Sequence, residues 1–221
     1  MADRAPRARR LRLLLTAAAV LGAVLAAAPP PVAAHPHVWI DTRAVLHLDV
    51  DRRLHAVALR WLFDELYSEA AVMDLPARDA AALRTMAAEA MTNLRDWRYF
   101  TDLRHDGRRL DTLPVTEYDA AWVDGRLEFT FTLTLPQPVD LRHQPLALRV
   151  FDPSFYIDVA FEEDRPLAVQ PAAAACSVER RPAPAEPDLT VLSDAYQSPD
   201  VEPGSEGIGG AFADTLIVHC P

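Results

Sequence analysis

The sequence predicts an α+β protein in which a mostly antiparallel, sandwich-like β-sheet domain carries one or two packed helices. Residues 37–50 alternate apolar and polar side chains with a period of two, which is typical of a half-buried strand. Asp-Gly pairs at 106–107 and 124–125 separate further alternating segments and indicate hairpins. One strong helical pattern covers residues 79–93, where apolar residues recur three and four positions apart. Strands with a helix on one face are typical of the α+β class.

The order of the predicted strands follows from the turns between them. A turn at 51–53 joins the first strand to a second one at 54–63, and we expect these two to form a hairpin. The remaining strand-like segments are 99–103, 113–122, 127–135, 146–151 and 156–162. A last alternating segment, 212–220, is expected to form an edge strand of the sheet.

The first 34 residues have the order of a secretory signal peptide. Arginines come first, an apolar run follows from Leu13 to Ala28, and small residues precede a cleavage site after Ala34. The apolar run is short for a membrane span. We therefore expect a cleaved signal peptide at 1–34 and a periplasmic protein that begins at His35. Residues 35–221 are then a single domain, with a Pro/Gly-rich loop at about 180–210.

The charge balance narrows the class of partner. The full chain carries a formal charge of −10, and loss of the arginine-rich leader lowers this to about −14. Such a surface repels nucleic acid, so no nucleic-acid partner is expected. The sequence also lacks a glycine-rich phosphate loop, a nucleophile elbow and a His-Glu-x-x-His motif. An enzymatic activity is therefore not the favoured prediction.

The two cysteines, Cys176 and Cys220, are expected to form a disulfide because an isolated pair in an exported protein tends to be oxidised. The bond would tie the C-terminal end to the body across the Pro-rich stretch. A two-thiolate metal site is the alternative.

The best metal-ligand candidates are His35 and His37, which flank Pro36 at the expected new N-terminus. On an extended segment their side chains point to the same side, and neutral imidazoles bind zinc, nickel, cobalt and copper. The free α-amine of His35 would be a third nitrogen donor. Pro36 has no amide proton, so a site that uses deprotonated backbone amides is excluded. The alternative is that His-Pro-His is only a polar leader.

Further ligands would have to come from other strands. Asp64, Glu65 and Asp152 are the carboxylate candidates, and a solvated or capping role is an equal alternative for each. Trp39, Phe155 and Tyr156 are candidate contacts for a ligand or partner, with core packing as the alternative.

Four segments together resemble a known family. They are HPHVWID at 35–41, WLFDELYS at 61–68, RVFDPSFYID at 149–158 and the C-terminal VHCP. They resemble the exported bacterial family catalogued as domain of unknown function one-thousand-and-seven, described as a periplasmic component of an uncharacterised ABC-type transport system. The resemblance covers essentially the whole mature chain, with phenylalanine at 151 and 155 where the family usually has tyrosine. It implies a role in divalent metal handling beside nickel, cobalt or zinc transporters.

Three functions fit these observations. The first is a periplasmic accessory protein that binds nickel, cobalt, zinc or copper and works with an inner-membrane metal permease or ABC transporter. The second is a β-domain that docks a membrane transporter and holds no metal. The third is a copper redox protein with a histidine brace at His35, although nothing in the sequence indicates a substrate groove for it.

Overall fold

The computed structural model describes residues 37–75, 77–172, 175–185 and 201–220. They all lie within one compact unit, His35–Pro221. The predicted signal peptide, His35 and residues 186–200 of the predicted loop lie outside the described residues.

The described residues form strands and two α-helices, and both helices lie between the second and third strands. The strands are β1 Val38–Leu48, β2 Arg53–Phe63, β3 Thr101–His105, β4 Arg108–Arg109, β5 Tyr118–Val123, β6 Arg126–Asp140, β7 Leu146–Val150, β8 Ile157–Phe161, β9 Leu167–Gln170, β10 Ser177–Arg181 and β11 Thr215–His219. The helices are α1 Glu65–Ala71 and α2 Ala80–Leu94.

The first sheet has six strands in the order β5-β6-β2-β1-β8, with β9 also paired to β1. β1 and β2 form the predicted antiparallel hairpin, in which Thr42 pairs with Trp61. On its other edge β1 pairs in parallel with β8 and then with β9. β1 is therefore an interior strand, and its alternation places every second side chain in the core, Ile40 and Leu46 among them.

The second sheet has five strands in the order β10-β11-β7-β3-β4, and its pairings are antiparallel. β11 lies between β10 and β7, so the prediction that the C-terminal segment is an edge strand is wrong. β10 ends at Arg181, at the start of the predicted loop, and its pairing with β11 covers that edge. The α+β class and the mostly antiparallel pairing are confirmed.

Both sheets contribute to one hydrophobic cluster. It contains Leu46 and Trp61 from the first sheet and Leu148 and Leu216 from the second. The indole of Trp61 contacts Phe131 edge-on, with ring centroids 5.0 Å apart. The sandwich-like packing of the two sheets stays a prediction.

The helix predicted at 79–93 is confirmed as α2. Asp79 caps it by accepting a hydrogen bond from the Ala82 amide at 2.9 Å, and Leu83, Ala87 and Met91 are buried on one face. The short helix α1 was not predicted, because seven residues are too few to show a helical period.

The two Asp-Gly turns are confirmed as hairpin turns. Asp106 and Gly107 have φ of 49° and 70°, and Asp124 and Gly125 have φ of 50° and 82°, which is the left-handed conformation that tight hairpins need. The segment predicted as a strand at 113–122 pairs regularly only from Tyr118.

Candidate functional site

Three of the four family-like segments meet at the N-terminal end of β1. Trp39 donates its amide proton to Asp64 Oδ2 at 3.0 Å, and the Asp64 amide donates to the Trp39 carbonyl at 2.9 Å. On the other side, the His37 amide donates to the Tyr156 carbonyl at 2.9 Å, and their rings are 4.9 Å apart. We call His37, Trp39, Asp64 and Tyr156 the β1-end cluster.

Asp64 holds α1 against β1. Its Oδ1 accepts the Tyr67 amide at 2.8 Å, which caps the helix, while its Oδ2 accepts the Trp39 amide. Each carboxylate oxygen therefore already accepts a backbone hydrogen bond. Glu65 follows in the exposed first turn of α1, where a negative charge favours the helix.

Ser68 was not identified from the sequence, although it completes this junction. Its side chain is fully buried, and its hydroxyl oxygen accepts the Leu127 amide at 2.9 Å from the neighbouring strand β6. The hydroxyl donates to the Asp64 carbonyl. An aspartate followed by a helix-compatible ELYSEAA stretch was the available signal for a capped helix here.

Asp152 organises the turn that presents Tyr156. It is 5% exposed, and its carboxylate accepts the Ser154 amide at 2.9 Å and the Ile157 amide at 3.0 Å. The Ser154 hydroxyl lies 2.8 Å from both carboxylate oxygens. The Asp152 carboxylate thus accepts hydrogen bonds from its own turn, which is a common role for an Asp in an Asp-Pro sequence.

Phe155 lies in the same turn and packs on another part of the chain. Its φ is 57°, and its ring stacks on Phe212 with centroids 4.4 Å apart. Gly209 lies so close to this turn that a Cβ there would stand 1.8 Å from the Asp152 carbonyl oxygen. The segment that ends in Phe212 therefore supports the turn.

Three large, mainly apolar side chains are exposed in the β1-end cluster and on α1 beside it. Trp39 and Tyr156 are each 49% exposed, and Leu66 on α1 is 79% exposed. Burial raises the pKa of Tyr67 above its usual value, and Tyr156 and Asp64 raise it further, so this phenol stays protonated at neutral pH. An exposed aromatic surface of this kind favours contact with a ligand or partner.

The described residues contain no group of three His, Cys, Asp or Glu side chains placed to hold a metal ion. At the β1-end cluster, His37 supplies the imidazole and Asp64 the carboxylate, and that carboxylate caps α1. His35, the other predicted histidine ligand, lies outside the described residues.

The disulfide prediction is confirmed. Cys176 and Cys220 are bonded, with sulfur atoms 2.07 Å apart, which rules out the two-thiolate alternative. The bond joins the start of β10 to the end of β11. Among the described residues, no helix has the length and apolar character that a membrane span needs.

Comparison with known proteins identifies the family. The family model described as "Protein of unknown function (DUF1007)" matches residues 20–220. The chain belongs to this family. An uncharacterized protein of Haemophilus influenzae is 23% identical over 195 residues, which cover 86% of this chain and 92% of that protein. An uncharacterized 15.5 kDa protein of Spirochaeta aurantia is 33% identical over 78 residues, which cover 35% of this chain and 55% of that protein. The HPHVWID, WLFDELYS and RVFDPSFYID segments of this DUF1007 member are the ones that meet at the β1-end cluster.

Proposed function

We propose that the protein is a periplasmic accessory protein that binds a divalent transition metal at its mature N-terminus and works with an inner-membrane metal transporter. The observation that carries this proposal is the position of His37. Its backbone amide is fixed to the Tyr156 carbonyl and its side chain is exposed, and it is the third residue after the expected cleavage site. A ligand pair that starts on a fixed strand end loses less conformational entropy on metal binding than one on a free tail.

The donor set proposed is the α-amine of His35 with the imidazoles of His35 and His37. These are neutral nitrogen donors, which suit nickel, cobalt, zinc and copper. Because Pro36 has no amide proton, backbone nitrogen cannot complete the site. Glu65, exposed beside Asp64, is a further carboxylate near this end of β1, whereas Asp64 and Asp152 would have to give up internal hydrogen bonds.

The test uses mature protein that begins at His35, titrated with nickel, zinc and copper by calorimetry. We expect binding to be lost in the H35A/H37A double variant and weakened when one glycine is added before His35. His143→Ala, which changes an exposed histidine elsewhere, is the matched control and should bind normally. Unchanged affinity in the double variant would overturn the site, and unchanged affinity after the glycine extension would exclude the amine as a ligand.

A second candidate function is a β-domain that docks a membrane transporter without a metal of its own. The exposed Trp39, Tyr156 and Leu66 favour it, since such a surface suits a protein contact. A metal-free protein from native periplasm that co-purifies with a permease, and loses it on Trp39→Ser substitution, would support docking over metal binding. Metal-loaded protein with no permease would contradict it.

A further inference from the structure

A groove crosses the open face of the six-stranded sheet, away from the β1-end cluster. The register aligns Val45 of β1 with Ala58 of β2, and Ala58 with Thr132 of β6. This row of small side chains runs beside a row with longer ones, in which Arg43 pairs with Arg60. The difference in side-chain length makes a depression of about 370 Å³, which is within the range of small-molecule sites.

The groove has opposite charges at its two ends. Arg43 lies on β1, and Glu117 lies just before β5, three strands away, or about 14 Å. Both side chains are exposed, and among the described residues neither makes a hydrogen bond or an ion pair through its charged group. Arg60, between them, already forms ion pairs with two carboxylates, Glu128 at 2.5 Å and Glu162 at 2.7 Å.

Glu117 lies at the end of the small-residue row, since its carbonyl accepts the Thr132 amide at 3.0 Å. Burial and the neighbouring His55 lower the pKa of His47 on β1, whereas the Glu117 carboxylate raises it. Arg43 on β1 and Glu117 beside β5 therefore flank the small-residue row from opposite sides of the groove.

We infer that this groove binds a short zwitterion of about dipeptide length, with its carboxylate on Arg43 and its ammonium group on Glu117. A guanidinium presents two parallel donors to a carboxylate, and a carboxylate accepts from an ammonium group. Thr130 and Thr132 offer hydroxyl groups along the floor for the peptide unit. A simple anion would be repelled by Glu117 and a simple cation by Arg43, so the charge pattern selects a ligand that carries both.

The test uses metal-free mature protein and L-Ala-L-Ala as the probe, titrated by nuclear magnetic resonance. N-acetyl-Ala-Ala lacks the ammonium group, and Ala-Ala-amide lacks the carboxylate. We expect each blocked peptide to bind at least about tenfold more weakly than Ala-Ala. Arg43→Gln should remove the difference between Ala-Ala and its amide, and Glu117→Gln should remove the difference between Ala-Ala and the acetylated form.

Matched controls change the same residue types elsewhere. Arg108→Gln on β4 and Glu89→Gln on α2 remove exposed charges outside the groove and should leave binding unchanged. No saturable binding at millimolar Ala-Ala, equal affinity for the blocked peptides, or full binding by both groove variants would each overturn the inference. The H35A/H37A variant should still bind the peptide, so this result is separate from that of the metal titration.

Discussion

At the scale of single residues, the family-like segments contain side chains that stabilise the fold as well as candidate ligands. His37, Trp39, Asp64 and Tyr156 come from three segments that resemble the family, and in the fold they lie together. Sequence alone did not show that Asp64 caps a helix, because α1 is too short for a periodic pattern. The functional and structural roles of such a residue therefore need separate experiments.

The first residue-scale prediction concerns Asp64. Asp64→Ala should lower the free energy of unfolding by about 2 kcal/mol, because it removes a helix cap and also the acceptor of the Trp39 amide. Asp79→Ala, which removes only the cap of α2, should cost about 1 kcal/mol. Urea unfolding measures both, and equal losses would contradict the double role of Asp64.

The second concerns Asp102, whose side chain is 4% exposed in the second sheet. Burial by itself raises the pKa of this carboxyl, but hydrogen bonds from Arg109 at 2.6 Å and Arg104 at 2.9 Å outweigh burial and lower it. A lowered pKa means that the folded state binds the proton less tightly than the unfolded state. The carboxylate thus stabilises the fold fully above the unfolded pKa of about 3.9, and this stability is lost as the pH falls below it.

Asp102→Asn should therefore cost about 2 kcal/mol at neutral pH and progressively less below about pH 4. Urea midpoints measured from pH 7 to pH 3 for both proteins would show the two curves converging in acid. A constant gap between them over the whole range would show that charge is not the cause.

At the scale of elements, local sequence patterns predicted those helices, hairpins and turns that are held together by local contacts. The β1–β2 hairpin, α2 and the two Asp-Gly turns were all predicted, because each depends on residues near one another in the chain. The prediction of a strand from residue 99 was inaccurate, since Arg98, Tyr99 and Phe100 all have φ near 55° and β3 begins after them. That turn is supported by distant partners, such as the Val115 amide, which donates to the Tyr99 hydroxyl at 2.9 Å.

The element-scale prediction concerns the turn Gly209–Phe212. Gly209→Ala would place a methyl group 1.8 Å from the Asp152 carbonyl oxygen, so this segment must move off the turn that holds Tyr156. We expect a loss of about 2–3 kcal/mol in unfolding free energy. In Gly107→Ala the added methyl group would meet no atom within 4 Å, and the only cost is the φ of 70°. We therefore expect a loss of about 1 kcal/mol in unfolding free energy. A smaller loss for Gly209→Ala would contradict the close packing.

At the scale of the whole molecule, strand alternation predicted the α+β class, but not the sheet order. The parallel pairing of β1 with β8 joins segments from opposite halves of the chain, and no local pattern records such a contact. The disulfide was predictable because the cysteine count and the predicted export suffice for it.

The whole-molecule prediction concerns this disulfide, whose cysteines are 44 residues apart. Closing a loop of that length stabilises the fold by about 4 kcal/mol in the chain-entropy model. The C176S/C220S variant should therefore unfold at clearly lower urea concentration than the oxidised protein. Addition of reductant should lower the midpoint of the natural protein and leave that of the variant unchanged. An equal response of both proteins would point to another target of the reductant.

The parallel edge of β1 also sets an order of assembly. A ribosome delivers the chain from its N-terminus, so β1 and β2 can pair early, while β8 and β9 emerge much later. Until then the side of β1 that pairs with β8 and β9 in the folded protein has no strand beside it. Unpaired strand edges invite pairing with other chains. The newly made protein therefore depends on protection of this edge until its second half arrives, and the β1-end cluster exists only once it has.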